Sequence, residues 1–205
     1  MNMERVLPLA CFAFFAFVGV GVRATLQLVR HGSTGVQFFR SGRADQTFRE
    51  AMFLVIGAIL LGHSIVPLVA PSLLAPISLP IASAPLMWAG AALVVMGTLL
   101  TFAAQVGMGA SWRMGIEEGA RPGLVTTGFY SLSRNPIYAL MIVSLVGFVL
   151  LVPTWVTVAM LVLAIVLVKQ QARAEEDYLL RTYGDEFRAY ARRVGRFFPG
   201  MGRLT

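Results

Sequence analysis

Five long apolar segments constrain the fold of this chain more than any other feature of its sequence. A helix needs about 20 apolar residues to cross a bilayer, and inside the bilayer its backbone polar groups must pair with one another. Charged residues make up only 13% of the chain, about half of their share in soluble domains. The sequence therefore predicts an all-α integral membrane protein with about five transmembrane helices. Their approximate ranges are 6–29, 51–71, 81–106, 136–152 and 154–170.

The distribution of arginine predicts the orientation of these helices. Arginines concentrate in residues 30–50, in residues 107–135 and in the tail after Lys169, whereas the connections 72–80 and 152–154 carry no charge. Positively charged loops tend to stay on the cytoplasmic side of a membrane. We therefore expect the N-terminus outside and the C-terminus in the cytoplasm. The net charge of +7 is then explained by anionic lipid headgroups, and no nucleic-acid partner is expected.

The sequence predicts no metal site. Cys11 is the single cysteine of the chain, and its place in an apolar segment favours a small packing residue. His63 lies in the middle of the second apolar segment, where no other histidine or carboxylate could share a metal ion with it. We interpret His63 as a hydrogen-bonded packing residue. The motifs of ATP-driven, hydrolytic and Rossmann dinucleotide chemistry are also absent from the sequence.

A polar, turn-rich stretch, GLVTTGFYSLSRNPIY, separates the third and fourth apolar segments. Pro136 disfavours helical geometry at Asn135 and is well suited to begin the next helix. Arg134 and Asn135 are therefore expected at a helix N-terminus, which suits an anionic or polar ligand. Tyr130 and Tyr138 flank this turn. Two interpretations apply to them, as membrane-interface anchors or as surfaces on which a purine stacks.

Two adjacent carboxylates, Glu175 and Glu176, lie just beyond the fifth apolar segment, near the level of the headgroups. Carboxylates at this depth cost free energy unless they are paired or bind a positive group. One interpretation is ion pairing with Arg173 or with arginines of the loops. The other is capture of a cationic or hydroxyl-bearing ligand. The residues alone leave both open.

The tail is expected to form a helix at the membrane surface. Gly184 is a natural stop for the preceding helix. After it, apolar residues recur with helical periodicity between arginines, a pattern typical of interfacial helices. These apolar residues are Phe187, Tyr190, Ala191 and Val194.

Several motifs in a fixed order resemble a known family. They are G-L-V-T-T-G-x-Y, R-N-P-x-Y, E-E-x-x-L-x-x-x-Y-G-D-E-F-x-x-Y and R-F-F-P, between Ser111 and Pro199. This set resembles the isoprenylcysteine carboxyl methyltransferases, including their bacterial members, and the related phospholipid methyltransferases. The resemblance implies a bacterial inner-membrane protein that binds S-adenosyl-L-methionine at its cytosolic face without a Rossmann fold.

The same resemblance implies how the chain is organised. Residues 1–205 would form a single membrane domain, with three N-terminal spans in 1–106. A methyltransferase-like core with a helical hairpin and an interfacial tail would occupy 107–205. The cytosolic cofactor pocket would be formed by the 107–135 loop and the C-terminal helices.

The resemblance also assigns roles to individual residues. A catalytic role is implied for Arg134, Asn135, Tyr138 and Glu176, and a contact with the substrate for Gln171 and Arg173. The cofactor would be bound by Gly115, Pro122, Gly123, Leu124, Val125, Tyr130, Asn135, Pro136, Tyr138 and Glu175.

Two positions depart from the family pattern. Asn135 stands where the family often has histidine, and asparagine cannot act as a base. Gln171 stands where the prenylcysteine enzymes carry an arginine assigned to the substrate. These departures leave cofactor binding in place. They broaden the expected methyl acceptor to a lipophilic or small carboxylate, thiol or amine, of which an amine would need Glu175, Glu176 or Tyr138 to take its proton.

Two alternatives remain open at this stage. One is an NADPH-dependent membrane reductase of the sterol-reductase type, whose C-terminal region is similar. The other is a non-catalytic membrane scaffold of the same fold, which Asn135 and Gln171 would favour.

Overall fold

Seven α-helices form the described part of the chain, residues 3–115 and 123–204, in the computed structural model. They are α1 (Met3–Ala16), α2 (Arg23–His31), α3 (Ala44–Val69), α4 (Ala84–Gly107), α5 (Pro136–Leu151), α6 (Trp155–Tyr183) and α7 (Asp185–Arg193). A π-helical turn, Phe17–Val22, joins α1 to α2. Short 3₁₀ turns cover Pro71–Ile77, Gly109–Ser111 and Gly128–Ser131. Within these residues there are isolated backbone bridges but no strand, so the all-α prediction is confirmed.

Within the described residues, four helical stretches are long and apolar enough to cross a membrane, and the protein is an integral membrane protein. They are Met3–His31, Ala44–Val69, Ala84–Gly107 and Trp155–Tyr183. The fifth expected span, α5, is apolar but has 16 residues, a length of about 24 Å. The count of five spans therefore stays a prediction.

Helices α4 and α5 approach each other closely because small residues line their contact. A Cβ atom on Gly147 would lie 2.6 Å from the carbonyl oxygen of Gly90, and one on Gly90 would lie 2.7 Å from the carbonyl oxygen of Gly147. Further along α4, Gly97 packs against Ser144 of α5, where an added Cβ atom would lie 2.9 Å from the Ser144 backbone nitrogen. Small-residue contacts of this kind let helix backbones meet inside membranes.

The α5–α6 hairpin is as tight as predicted. Thr154 caps α6 by accepting a hydrogen bond from the amide of Thr157 at 3.2 Å. The Thr157 hydroxyl donates in return to the carbonyl of Val152 at 2.8 Å. Helix α6 then runs for 29 residues, beyond the expected apolar range, and ends at Tyr183. Gly184, at a φ of +51°, turns the chain into α7, as predicted.

The apolar face of α7 packs inside the protein. Phe187, Tyr190, Ala191 and Val194 are all buried. They contact apolar side chains of α6 together with Leu124 and Leu204. The periodicity of α7 therefore reflects burial on α6. Its placement at the membrane surface stays a prediction.

Two side chains of α2 hold the segment that follows α4. The buried guanidinium of Arg23 donates to the carbonyl of Gly109 at 3.0 Å and lies 4.3 Å from the ring centre of Trp112. The amide of Gln27 donates to the carbonyl of Ala110 at 3.2 Å. The loop after α2 pairs with this segment as well, since the amide of Gln37 donates to the carbonyl of Met114 at 2.9 Å. The loops predicted to be cytosolic thus meet at one end of the helices.

Candidate functional site

The site is built where the turn before α5 meets the tail. Helix α5 begins at Pro136, and Asn135 before it is non-helical, with a φ of −128° and a ψ of 55°. Both features agree with the expectation from Pro136. The backbone amides of Arg134 and Asn135, however, donate to the carbonyls of Gly195 and Arg196 at 2.9 and 3.0 Å. These two amides hold the tail and are not free for an anionic ligand.

Glu176 is the centre of a buried polar cluster. Its two oxygens form a bidentate ion pair with Arg134, at 3.1 and 3.0 Å. They also accept from the side-chain amide of Asn135 at 2.8 Å and from Arg196 at 3.0 and 2.9 Å. Of the two interpretations offered for the carboxylates, ion pairing with a loop arginine therefore describes Glu176. Both of its oxygens are occupied by protein donors.

Arg134 ties the tail to the turn. Besides Glu176, its guanidinium donates to the carbonyls of Ala191, Val194 and Gly202, the first and last at 3.0 Å. The Arg134 side chain is only 1% exposed. A buried arginine saturated in this way fixes the relative positions of α6, α7 and the residues that follow.

Glu175, the neighbouring carboxylate, has a different environment. The hydroxyl of Tyr138, on the first turn of α5, donates to Glu175 Oε1. The side-chain amide of Gln171, one turn earlier on α6, donates to the same oxygen at 2.8 Å. Among residues 3–115 and 123–204, no donor binds Glu175 Oε2. This oxygen can accept a hydrogen bond from a ligand.

The Glu175 environment extends to the second span. Arg49, near the start of α3, donates from Nε to Gln171 Oε1 at 3.1 Å, across a separation of 122 residues. The same guanidinium donates to Asp45 at 3.0 Å and to Gln46 Oε1 at 2.7 Å. A continuous chain of hydrogen bonds therefore runs from α3 through α6 to Tyr138 on α5.

Tyr130 presents a buried hydroxyl that finds no partner among the described residues. Its carbonyl accepts from the hydroxyl of Tyr190 at 2.6 Å, which anchors the 3₁₀ turn to α7. Burial, with a smaller contribution from the Glu175 charge, raises the pKa of Tyr130 well above its ordinary value. Burial likewise raises the pKa of Tyr190 to about 12. Both phenols are therefore neutral hydrogen-bond donors at physiological pH.

These groups surround a cavity of about 950 Å³, counted with its open mouth. Most of the predicted site residues line it. They are Gly115, Gly123, Leu124, Val125, Tyr130, Arg134, Asn135, Pro136, Tyr138, Glu175 and Glu176. Pro122 lies outside the described residues. Gln171 is buried and reaches the cavity only through Glu175, whereas Arg173 is exposed and does not line it.

Several residues around the cavity were not among the predicted site residues. The additional lining residues are Met108, Ser111, Arg113, Ile137, Tyr178, Leu179, Phe187 and Tyr190. Arg49 was used only as a loop charge, yet it belongs to the network behind Glu175. The sequence did carry a signal for a role of Arg49 inside the protein. Gln46, Arg49 and Glu50 occupy positions i, i+3 and i+4 at the start of an apolar helix and so share one helix face. All three are buried.

Comparison with known proteins relates this part of the chain to a family. The sequence profile of the phospholipid methyltransferase family matches residues 85–186. The matched segment covers the third span, the turn before α5, and both Glu175 and Glu176. It ends at the first residues of α7.

Two curated relatives match 115 residues of the chain. The nickel-cobalt-cadmium resistance protein NccN of Alcaligenes xylosoxydans xylosoxydans is 37% identical over 56% of this chain and 53% of its own length. The cobalt-zinc-cadmium resistance protein CzcN of Cupriavidus metallidurans is 33% identical over 56% of this chain and 52% of its own length. The match therefore spans about half the length of these relatives.

A solved structure shares the fold. It is that of the eukaryotic intramembrane Ras methyltransferase, an isoprenylcysteine carboxyl methyltransferase. The TM-score is 0.60 at 16% sequence identity, over 97% of this chain and 70% of that one. The helical arrangement of the two proteins is thus alike, as the sequence motifs predict.

Proposed function

We propose that this chain is an S-adenosylmethionine-dependent membrane methyltransferase, because the profile of the phospholipid methyltransferase family matches residues 85–186. The observation that carries the proposal is the cavity wall, in which the described residues supply no donor to Glu175 Oε2 and no partner to the Tyr130 hydroxyl. The bound cofactor would supply a methyl group made electrophilic by its sulfonium. The methyl acceptor would be a lipophilic or small molecule with a carboxylate, thiol or amine.

The residues present fit such a cofactor. S-adenosylmethionine carries an ammonium and ribose hydroxyls, which donate hydrogen bonds, and a carboxylate, which accepts them. Glu175 Oε2 can accept a hydrogen bond from the ammonium or a ribose hydroxyl, and the Tyr130 hydroxyl can donate one to the carboxylate. Leu124, Phe187 and Leu179 supply apolar surface beside these polar atoms.

We assign Arg134 and Glu176 to positioning rather than proton transfer. Both are saturated by protein partners, and together they join the turn, α6 and the tail into one wall. Asn135 belongs to this wall through Glu176. These residues would hold cofactor and acceptor in line in a water-poor cavity. Such positioning can supply a large part of the rate acceleration of a methyl transfer.

Glu175 is our candidate for proton acceptance where the acceptor is an amine. A carboxylate or thiolate acceptor reacts without a protein base, whereas a neutral amine must lose a proton. Glu176 has no free oxygen, and the Tyr138 hydroxyl already donates to Glu175. Glu175 Oε2 has two lone pairs, so it can take this proton beside a hydrogen bond from the cofactor.

The proposal also covers location. We place the cavity at the cytoplasmic face of a bacterial inner membrane, with the N-terminus outside, because arginine-rich loops surround the cavity end. An apolar acceptor would enter from the bilayer.

The names of the two relatives link those proteins to metal resistance. For this chain we propose a contribution to such resistance through methylation of an acceptor.

Isothermal titration of the purified protein in detergent tests the cofactor class. S-adenosylhomocysteine should bind saturably at one site per chain, and NADPH should give no heat beyond dilution. Binding of NADPH alone would overturn the proposal in favour of a membrane reductase. Binding of S-adenosylhomocysteine without methylation of any lipid, thiol, carboxylate or amine acceptor would favour the scaffold alternative.

A further inference from the structure

A buried arginine of the second span has no role in the proposed chemistry. Arg49 is 7% exposed and lies on α3, before the segment that the family profile matches. Its position is set by Asp45 and Gln46 on its own helix, at 3.0 and 2.7 Å. Burying a guanidinium costs free energy that its partners must offset. The partner outside α3 shows what this arginine does.

That partner is Gln171. A side-chain amide has a donor end and an acceptor end, whereas a guanidinium can only donate. Because Arg49 Nε donates to Gln171 at 3.1 Å, the oxygen of this amide must face α3 and its NH₂ group must face Glu175. Without Arg49 the amide oxygen would lose its partner on α3, and Gln171 would be held only by its bond to Glu175.

The orientation of Gln171 determines which oxygen of Glu175 is used within the protein. Gln171 Nε2 and the Tyr138 hydroxyl both donate to Oε1. Two donors on one oxygen fix the plane of the carboxylate and leave Oε2 for a ligand.

We infer that Arg49 is a positioning residue that acts through Gln171 to hold Glu175 in its ligand-binding orientation. The inference rests on the proposed function, since it concerns the same cofactor site. It makes α3 part of that site, although no atom of α3 is among the described groups that line the cavity.

The affinity for S-adenosylhomocysteine tests this inference in a double-mutant cycle. Arg49→Met and Gln171→Met should each weaken binding about tenfold, the cost of one hydrogen bond to a charged group. Because the two residues act in series, the double variant should bind no more weakly than either single variant. Arg49→Lys, which keeps a donor, should recover part of the loss. Arg30→Met, which removes an exposed arginine from α2, is the matched control and should bind like the unaltered protein.

Each outcome separates the inference from its alternatives. Unchanged affinity in folded Arg49→Met, or losses that multiply to about a hundredfold in the double variant, would overturn it. If Arg49→Met does not fold, Gln171→Met decides alone, because this variant leaves Arg49 its bonds to Asp45 and Gln46. Unchanged affinity of Gln171→Met would reject the inference that Arg49 acts through Gln171. Absence of binding to the unaltered protein would instead overturn the proposed cofactor, and the inference with it.

Discussion

Neighbouring carboxylates on one helix have different environments in this protein because their partners differ. Glu176 is surrounded by two arginines and an amide, whereas Glu175 shares one oxygen between Tyr138 and Gln171. The first arrangement stabilises the wall, and the second leaves an acceptor atom. A substitution at either position therefore tests a different property.

Glu175→Gln should weaken S-adenosylhomocysteine binding by about tenfold or more, because a hydrogen bond to a charged group is lost. The melting temperature in detergent should change little. Asp177→Asn, an exposed position on the same helix, is the matched control. Equal affinity of Glu175→Gln and the unaltered protein, measured by titration calorimetry, would remove Glu175 from the cofactor site.

Tyr130→Phe should separate binding from stability. The buried hydroxyl has no partner among the described residues, and an unpaired buried polar group costs about 1–3 kcal/mol. Its removal should therefore raise the melting temperature of the ligand-free protein while weakening S-adenosylhomocysteine binding. Tyr190→Phe, which removes a bond of 2.6 Å to the Tyr130 carbonyl, should instead lower the melting temperature. A stability loss in Tyr130→Phe would mean that its hydroxyl is satisfied.

Helix contacts decide where the site residues stand. The close approach of α4 and α5 brings the segment after α4 beside the turn before α5. Gly147→Ala should destabilise the protein by about 1–3 kcal/mol, because its Cβ would lie 2.6 Å from a backbone oxygen that cannot move away. Gly57→Ala on α3, where no atom lies within 4 Å of the added carbon, should be neutral or slightly stabilising. Circular dichroism melts in detergent measure both, and equal melting temperatures would contradict the contact.

Helices and local turns were predictable at this scale, whereas side-chain partnerships between distant segments were not. Pro136, Thr154 and Gly184 act through their own neighbours in the chain, so the start of α5, the hairpin and the end of α6 follow from local sequence. The pairing of Arg134 with Glu176 crosses 42 residues and that of Arg49 with Gln171 crosses 122. Such contacts depend on helix packing, which periodicity alone does not specify. The motif order located most of the cavity because it carries family information that individual residues do not.

For the whole molecule, orientation in the membrane is the property that decides which ligands reach the cavity. Ser33 lies in the loop on the cavity side and Ser83 at the opposite end of the helices, and both are exposed. In a Cys11→Ala background, Ser83→Cys should react with a membrane-impermeant maleimide in intact cells. Ser33→Cys should react only after the membrane is opened. The reverse pattern would place the cavity outside the cytoplasm.

The bonds from Arg134 to three tail carbonyls have a consequence for the order of events during synthesis. The last of these carbonyls belongs to Gly202, so the arginine is saturated only after translation has passed that residue. Until then Arg134 lacks some of the acceptors that it has in the finished protein, and the cavity wall is incomplete. We therefore expect the nascent chain to insert its helices first and to complete the cavity wall last.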